Sequence, residues 1–414
     1  MKSRNLWFTL SLVNLCIVAL LGMTLRSKLL FPLTFIDYKN MLSAHSHFAF
    51  GGWVTLALMI LFVDNLLSQH QKQKQIYQWM LWGIEITSFG MLFTFPFQGY
   101  ALFSIIFSTL FIFFTWGFSW VFIKDIWKTG NEKPVTLLAI SALACLVLSS
   151  VGPFTLAYIL ATHSGTAALY RDAIYTYLHF QYNGFFTLSV FSLFFNAAGS
   201  KIAVHQKKRI RLFAILLCLS VAPSLFLSLL WHGFNIYIHT LAVIGCVLTF
   251  LAVVSFFTFA GKKNLYAIYD SPLARGLLKL SMASFVIKML LQMGTIIPSL
   301  GNAVFGFRSI IIGFLHLVFL GLVSFYILSN FINDRILPAE KPSTRKAVVF
   351  FGVAIIINEA ILLMDGLGRL FYFTHPIYFW LLWIAAILLV IGSLLILRAR
   401  LSIPAVNAPI KKLP

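Results

Sequence analysis

The chain has 414 residues, of which 60% are hydrophobic and only 10% are charged, and its mean hydropathy is +0.92. A soluble protein of this length could not remove so much apolar surface from water, so the composition excludes a soluble globular fold. The formal net charge is +20, which by itself is compatible with binding to nucleic acid or to anionic lipid.

The apolar residues occur in runs of about 20, the length of helix that crosses a bilayer core of roughly 30 Å. No run shows the alternating pattern of a membrane β-barrel strand, so we predict helices, which satisfy their own backbone polar groups in lipid. The first span follows "MKSRN" without a small-residue cleavage site, so we expect a retained helix. Twelve spans are predicted, at about 7–25, 43–67, 76–96, 101–123, 135–160, 174–197, 211–231, 237–260, 276–297, 308–330, 347–365 and 376–397.

The basic residues are distributed unevenly between the two sides of these spans. With the N-terminus inside, inner segments hold 24 of the 31 Lys and Arg residues and outer segments hold six. This is the positive-inside bias. It predicts an integral protein of the bacterial inner membrane, with both termini cytoplasmic and basic residues on anionic lipid, and argues against nucleic acid. Because all loops are short, we predict one transmembrane domain over residues 1–414.

Ionisable side chains lie at several depths within the spans, where they are costly and mark functional sites. In chain order they are His45 and His47 in span 2, Glu85 in span 3, His179 in span 6, His232 at the end of span 7, Lys288 in span 9, His316 in span 10 and Glu359 in span 11. Eight of the ten histidines lie at the outer ends of spans or in the outer third of the membrane. This asymmetry favours a shared metal or haem role near the outer surface. The alternative is that they are polar helix-end residues packed in the bundle.

The residue types narrow the metal chemistry. Haem iron takes one or two axial imidazoles from facing helices, and an apolar bundle supplies the slot. A structural zinc site usually needs four close ligands that include thiolates. The four cysteines form no CxxC pair, and neither CxxCH nor HExxH occurs. Haem without covalent attachment therefore suits this sequence best.

Twelve spans with an inside N-terminus and outward histidines on spans 2, 6, 7 and 10 resemble subunit I of the haem-copper oxidase superfamily, and its nitric oxide reductase and cbb3 branches most closely. The stretch "FLHLVFLG" resembles the reductase pattern HxHLxLFG, with His316 on the second histidine. The resemblance implies an all-α twelve-helix bundle of the oxidase subunit I type. It implies a low-spin haem b held by His316 and His47, with His45 as the alternative partner in span 2.

The same resemblance extends to three further stretches. "HFQYNGFF" is similar to HLWVEGVW and places His179 on the histidine that binds copper or non-haem iron, with His232 of "LLWHGF" as a second ligand. In "DGLGRL", Arg369 falls where the family's arginines pair with haem propionates, a role that suits the permanent charge of arginine. Arg308, at the start of span 10, is a second propionate candidate, or an ordinary interface anchor.

Three positions depart from the family pattern and leave the second metal site incomplete. Phe314 stands where the reactive haem's proximal histidine is expected, Trp231 replaces the first histidine of the span-7 pair, and Asn183 replaces the reductase glutamate. We therefore expect a haem-b protein that takes part in electron transfer, nitrogen-oxide or gas chemistry, or sensing. If it is an enzyme, the resemblance implies an oxidoreductase. An electron donor or another respiratory-complex subunit is the implied partner.

Two alternatives come from other functional classes. A transporter or an ion or proton channel could use Lys288, Glu85 and Glu359 as an intramembrane path. The plainer interpretation is that Lys288 snorkels and that each glutamate is a neutral, hydrogen-bonded acid. The chain could also be a structural or assembly partner of a respiratory complex.

Overall fold

A computed structural model describes residues 4–199, 204–261, 266, 268–371 and 373–403, and all regular secondary structure within them is helical. Two short helices, Gln69–Lys72 and Pro298–Gly306, lie in connections. The long helices are α1 (Arg4–Leu30), α2 (Tyr38–Leu66), α3 (Gln75–Gln98), α4 (Leu102–Ile126), α5 (Lys133–Thr162), α6 (167–198), α7 (Gln206–His232), α8 (Ile236–Ala260), α9 (Pro272–Gly294), α10 (Arg308–Asn333), α11 (Pro342–Leu370) and α12 (Ile377–Leu401).

Eleven of these helices are long and apolar enough to cross a membrane. The prediction of an all-α, polytopic integral membrane protein in contact with lipid is therefore confirmed. The remaining long helix, α6, occupies the position of predicted span six. It is less apolar than the others because His179, Gln181 and Asn183 lie near its centre.

Three helices, α2, α6 and α10, form the centre of the bundle. Every residue is buried over 50–63 in α2, 181–195 in α6 and 321–332 in α10. The other nine long helices carry large apolar side chains exposed along their lengths, as helices that face lipid do. Polar side chains on the three central helices are consequently held inside the protein.

Each central helix contains a π-helical segment. The π segments comprise Ala49–Thr55 in α2, Phe180–Phe186 in α6 and Leu317–Ser324 in α10. Each begins one or two residues after a histidine, namely His47, His179 and His316. Such segments inside α-helices are rare and are frequent at functional sites.

Side chains compensate for the irregular backbone bonding of all three π segments. The Gly52 carbonyl accepts from Asn14 Nδ2 at 2.7 Å, the Tyr182 carbonyl from Thr187 Oγ1, and the Leu322 carbonyl from Ser281 Oγ at 2.6 Å. These donors satisfy backbone oxygens that would otherwise be costly to bury.

Three phenylalanines, one from each π segment, pack together at the centre of the bundle. The ring centroids of Phe50 and Phe319 are 4.4 Å apart, those of Phe186 and Phe319 5.3 Å, and those of Phe50 and Phe186 5.7 Å. This contact fixes the three histidine-bearing helices relative to one another.

Candidate functional site at the histidine end of the bundle

His47 faces α3. Its ring stacks on Phe95, with centroids 4.5 Å apart, and its Nε2 lies 2.9 Å from the Tyr100 hydroxyl oxygen. Tyr100 follows the end of α3 and also packs edge-on against Phe95. His47 is therefore held by aromatic packing and by one hydrogen bond to a tyrosine.

His45 points to the other side of α2, because residues two apart on a helix are separated by about 200°. Its ring lies beside α1, where a Cβ added to Gly22 would be 3.3 Å from its Cε1. The ring also makes a hydrogen bond with the Val18 backbone carbonyl, which accepts it. Within the described residues, His45 Nδ1 is buried and has no hydrogen-bond partner.

His316, on α10, lies within electrostatic range of His45. The two imidazoles lie close enough to interact electrostatically, and Arg26 interacts with both. His316 Nδ1 is 2.8 Å from the Ile312 carbonyl oxygen. Since that oxygen can only accept, Nδ1 carries the proton, and the neutral ring presents its lone pair at Nε2.

The first part of α10, up to His316, is less buried than the rest of that helix. No residue over Arg308–His316 is buried, although the next turns of α10 lie in the core. His179, at a comparable place on α6, is completely buried. His316 is thus partly exposed, whereas His179 is not.

Three arginines surround this end of the bundle. Arg26 interacts with Tyr38 and Asp365. Arg308 lies 6.0 Å from the centroid of the same Tyr38 ring, and Arg369 Nε lies 3.2 Å from Asp365 Oδ2. We call Arg26, Arg308 and Arg369 the arginine cluster. Arg26 and Arg369 both interact with one buried carboxylate, Asp365, and Arg26 also interacts with His45 and His316.

His179 belongs to a separate polar network. Its Nε2 donates to the Val221 carbonyl at 2.7 Å, and its Nδ1 accepts from Asn183 Nδ2 at 3.0 Å. Asn183 Oδ1 in turn accepts from Lys288 Nζ, which also lies 3.3 Å from Thr187 Oγ1. Both ring nitrogens of His179 are therefore used within the protein.

His232 is not close to His179. Its Nε2 lies 2.7 Å from Asp172 Oδ2, and the Trp231 Nε1 donates to Asp172 Oδ1 at 3.1 Å. Asp172 precedes His179 by seven residues of α6, which is roughly 10 Å along the helix. The two histidines that the resemblance assigns to one metal ion have different partners at different depths.

The remaining ionisable residues of the predicted path are also apart. Glu85 accepts from Asn14 Nδ2 at 2.9 and 3.1 Å, between α1 and α3. Glu359 on α11 accepts from Asn358 at 3.0 Å and lines a cavity. Lys288 contacts neither glutamate; its hydrogen bonds go to α6 and to Met289.

These positions can be tested against the groups that the resemblance implies. Haem iron needs imidazole lone pairs from facing helices. His45 offers an unpartnered Nδ1, His316 offers Nε2, and the arginine cluster offers charge for carboxylates, so the residues fit a haem. In the described part of the chain, no three His, Cys, Asp or Glu side chains are grouped to hold a metal ion.

Sequence reasoning missed two contributors to this site. Arg26 was counted only as one of six outer basic residues, and that scarcity is the signal that could have identified it. Tyr100 lies in the α3–α4 connection, where nothing in the sequence pairs it with His47.

No protein-family model and no curated protein matches this chain.

Proposed function

We propose that this chain is a haem-binding membrane protein in which the imidazoles of His45 and His316 would hold one b-type haem. The observation that carries the proposal is that His45, His316 and Arg26 lie within electrostatic range of one another. The sequence motif favours His47 as the span-2 ligand. The contacts of His47 with Phe95 and Tyr100 favour His45 instead.

Each neighbour of the pair has a definable role in this proposal. The Ile312 carbonyl fixes the proton on His316 Nδ1 and so keeps Nε2 available. Gly22 leaves room for the His45 ring against α1. The arginine cluster supplies the positive charge that two haem carboxylates need, and arginine binds carboxylates in bidentate geometry.

A bound haem would supply a reversible one-electron carrier. Because two imidazoles would hold the haem, we propose electron transfer as the basic activity. This electron transfer would serve nitrogen-oxide chemistry, other gas chemistry or sensing. On this proposal the chain is a twelve-helix relative of haem-copper oxidase subunit I, in the bacterial inner membrane with its N-terminus cytoplasmic. An electron donor or another respiratory-complex subunit would be its partner.

The test is a reduced-minus-oxidised optical spectrum of the full-length protein purified from haem-replete cells. We expect a haem b spectrum in the wild type and its loss in His316→Ala. The matched control is His375→Ala, which changes a histidine near the start of α12 whose recorded hydrogen bond is to the backbone of Ile377. A colourless wild-type protein would end the proposal.

A second candidate function is proton movement through the bundle, and one observation favours it. Lys288, Asn183 and His179 form a continuous hydrogen-bonded line from α9 through α6 to α7. In sealed vesicles with a pH-sensitive dye, this function requires flux that Lys288→Met abolishes and His316→Ala does not. Flux that is unchanged by Lys288→Met would exclude this line as the route.

A further inference from the structure

A cavity of about 600 Å³ lies among α6, α9, α10 and α11, on the side of α10 that carries Phe314. This volume is within the range of roughly 300–1,000 Å³ that small-molecule sites occupy. The lining is mostly apolar and includes five side chains with hydroxyl groups: Tyr175, Tyr182, Ser228, Ser284 and Thr295. Within the described residues it contains no His, Cys or Met and no Lys or Arg, so it offers neither an imidazole or thiolate for iron nor a cation for a carboxylate or phosphate.

An amide oxygen and a carboxylate, from two different helices, also belong to this lining and can accept hydrogen bonds. Gln292, at the end of α9, is only 5% exposed, and its Oε1 has no partner among the described residues. Glu359, on α11, accepts a single hydrogen bond, from Asn358 at 3.0 Å. A buried acceptor without a donor costs roughly 1–3 kcal/mol, so a ligand that donates to these atoms gains affinity.

The cavity opens toward lipid. Its lining includes Ile287 and Leu290 of α9 and Ile356 and Leu363 of α11, and these side chains are themselves between 46% and 55% exposed. Because these residues lie on membrane-spanning helices, a ligand can enter sideways from the bilayer. The ligand must then be soluble in lipid.

From these observations we infer that the cavity is a binding site for a lipid-soluble hydroquinone. A hydroquinone has a flat apolar ring with hydroxyl donors at its two ends, which suits acceptors that come from two different helices. Its apolar tail would leave through the gap between α9 and α11. The site is separate from His45 and His316, so it stands or fails independently of the haem proposal.

The test uses the full-length protein in lipid nanodiscs under reducing conditions. The probe is a benzohydroquinone with a decyl tail, and the control ligand is its dimethyl ether, which keeps the ring and tail but has no donors. Binding is measured as the ligand-dependent rise in unfolding temperature, since a ligand that binds only the folded state stabilises it by an amount that grows with the ratio of ligand concentration to Kd. The protein variants are Gln292→Leu, Glu359→Leu and the cavity-filling Ala283→Trp. The matched control is Leu110→Trp, at a lipid-facing position on α4 outside the cavity.

We expect saturable binding of the hydroquinone by the wild type and by Leu110→Trp, and none by Ala283→Trp. Loss of one hydrogen bond corresponds to about tenfold in affinity. Gln292→Leu and Glu359→Leu should each weaken binding by about that factor, and the dimethyl ether, which lacks both donors, should weaken it by about a hundredfold. Equal binding of the hydroquinone and its ether, or equal binding by wild type and Ala283→Trp, would overturn the inference. The haem spectrum of the same preparations is recorded separately, so the two proposals are distinguishable.

Discussion

The Nε2 atom of His47 lies 2.9 Å from the hydroxyl oxygen of Tyr100, and the ring is stacked on Phe95. His45, two residues earlier on the same helix, is directed toward α1 and has an unpartnered Nδ1. The two histidines of the "HSH" motif therefore have different environments, and only His45 shares electrostatic neighbours with His316.

Removing the contact of His47 with Tyr100 should leave the haem in place. We expect Tyr100→Phe to lower the free energy of unfolding by about 1 kcal/mol, the net contribution of one hydrogen bond. The haem-to-protein ratio, measured as the pyridine haemochrome, should stay at the wild-type value. A haem loss in Tyr100→Phe would assign this contact to the haem site.

Enlarging Gly22 should displace the His45 ring. A Cβ at this position already comes within 3.3 Å of His45 Cε1, and a leucine side chain extends further. We expect Gly22→Leu to lower haem content at least tenfold. The control is Gly276→Leu, where the added Cβ meets nothing within 4 Å. Full haem content in Gly22→Leu would show that this approach of α1 does not position His45.

Arg26 should raise the midpoint potential of a haem held by His45 and His316, because a nearby positive charge disfavours the oxidised iron. In a medium of effective dielectric constant near 20, two unit charges about 10 Å apart interact with an energy on the order of 1–2 kcal/mol. Since about 1.4 kcal/mol equals 59 mV for one electron, Arg26→Gln should lower the potential by tens of millivolts. Redox titration checks this value, with the exposed Arg345→Gln as control. An unchanged potential in Arg26→Gln would contradict the placement of Arg26.

Asn183 and Lys288 should be strongly coupled in stability. Asn183→Leu leaves the buried Lys288 ammonium without its amide acceptor, and Lys288→Met leaves the amide oxygen without its donor. Each single variant should lose roughly 1–3 kcal/mol, and the double variant should lose less than the sum of the two. Detergent unfolding of all four proteins measures this cycle. Strict additivity would mean that the two side chains do not stabilise each other.

Much of the fold was predictable from composition and span length alone, because a membrane-spanning helix requires only about 20 apolar residues. The long α6 was also predicted, although its polar centre makes it less apolar than the other spans. The three π segments were not predictable. They depend on donors such as Asn14 and Ser281, which come from other helices and reach the irregular backbone only after the bundle has formed.

The candidate site was predictable only in part. The sequence indicated that His45, His47 and His316 lie near one surface, but the choice between His45 and His47 depends on which side of α2 meets α1. This orientation is set by the tertiary packing of α1 against α2, and the family resemblance did not determine it. The grouping of His179 with His232 came from the resemblance. In the structure, His179 forms a hydrogen bond with Asn183 and His232 forms one with Asp172.

The haem content of His45→Ala compared with that of His47→Ala tests the central proposal most directly. Both variants remove one imidazole from the same helix, so they control for each other in expression, purification and folding. We predict that His47→Ala retains one haem b per polypeptide and that His45→Ala retains none. A haem-free His47→Ala protein beside a fully loaded His45→Ala protein would contradict the pairing of His45 with His316.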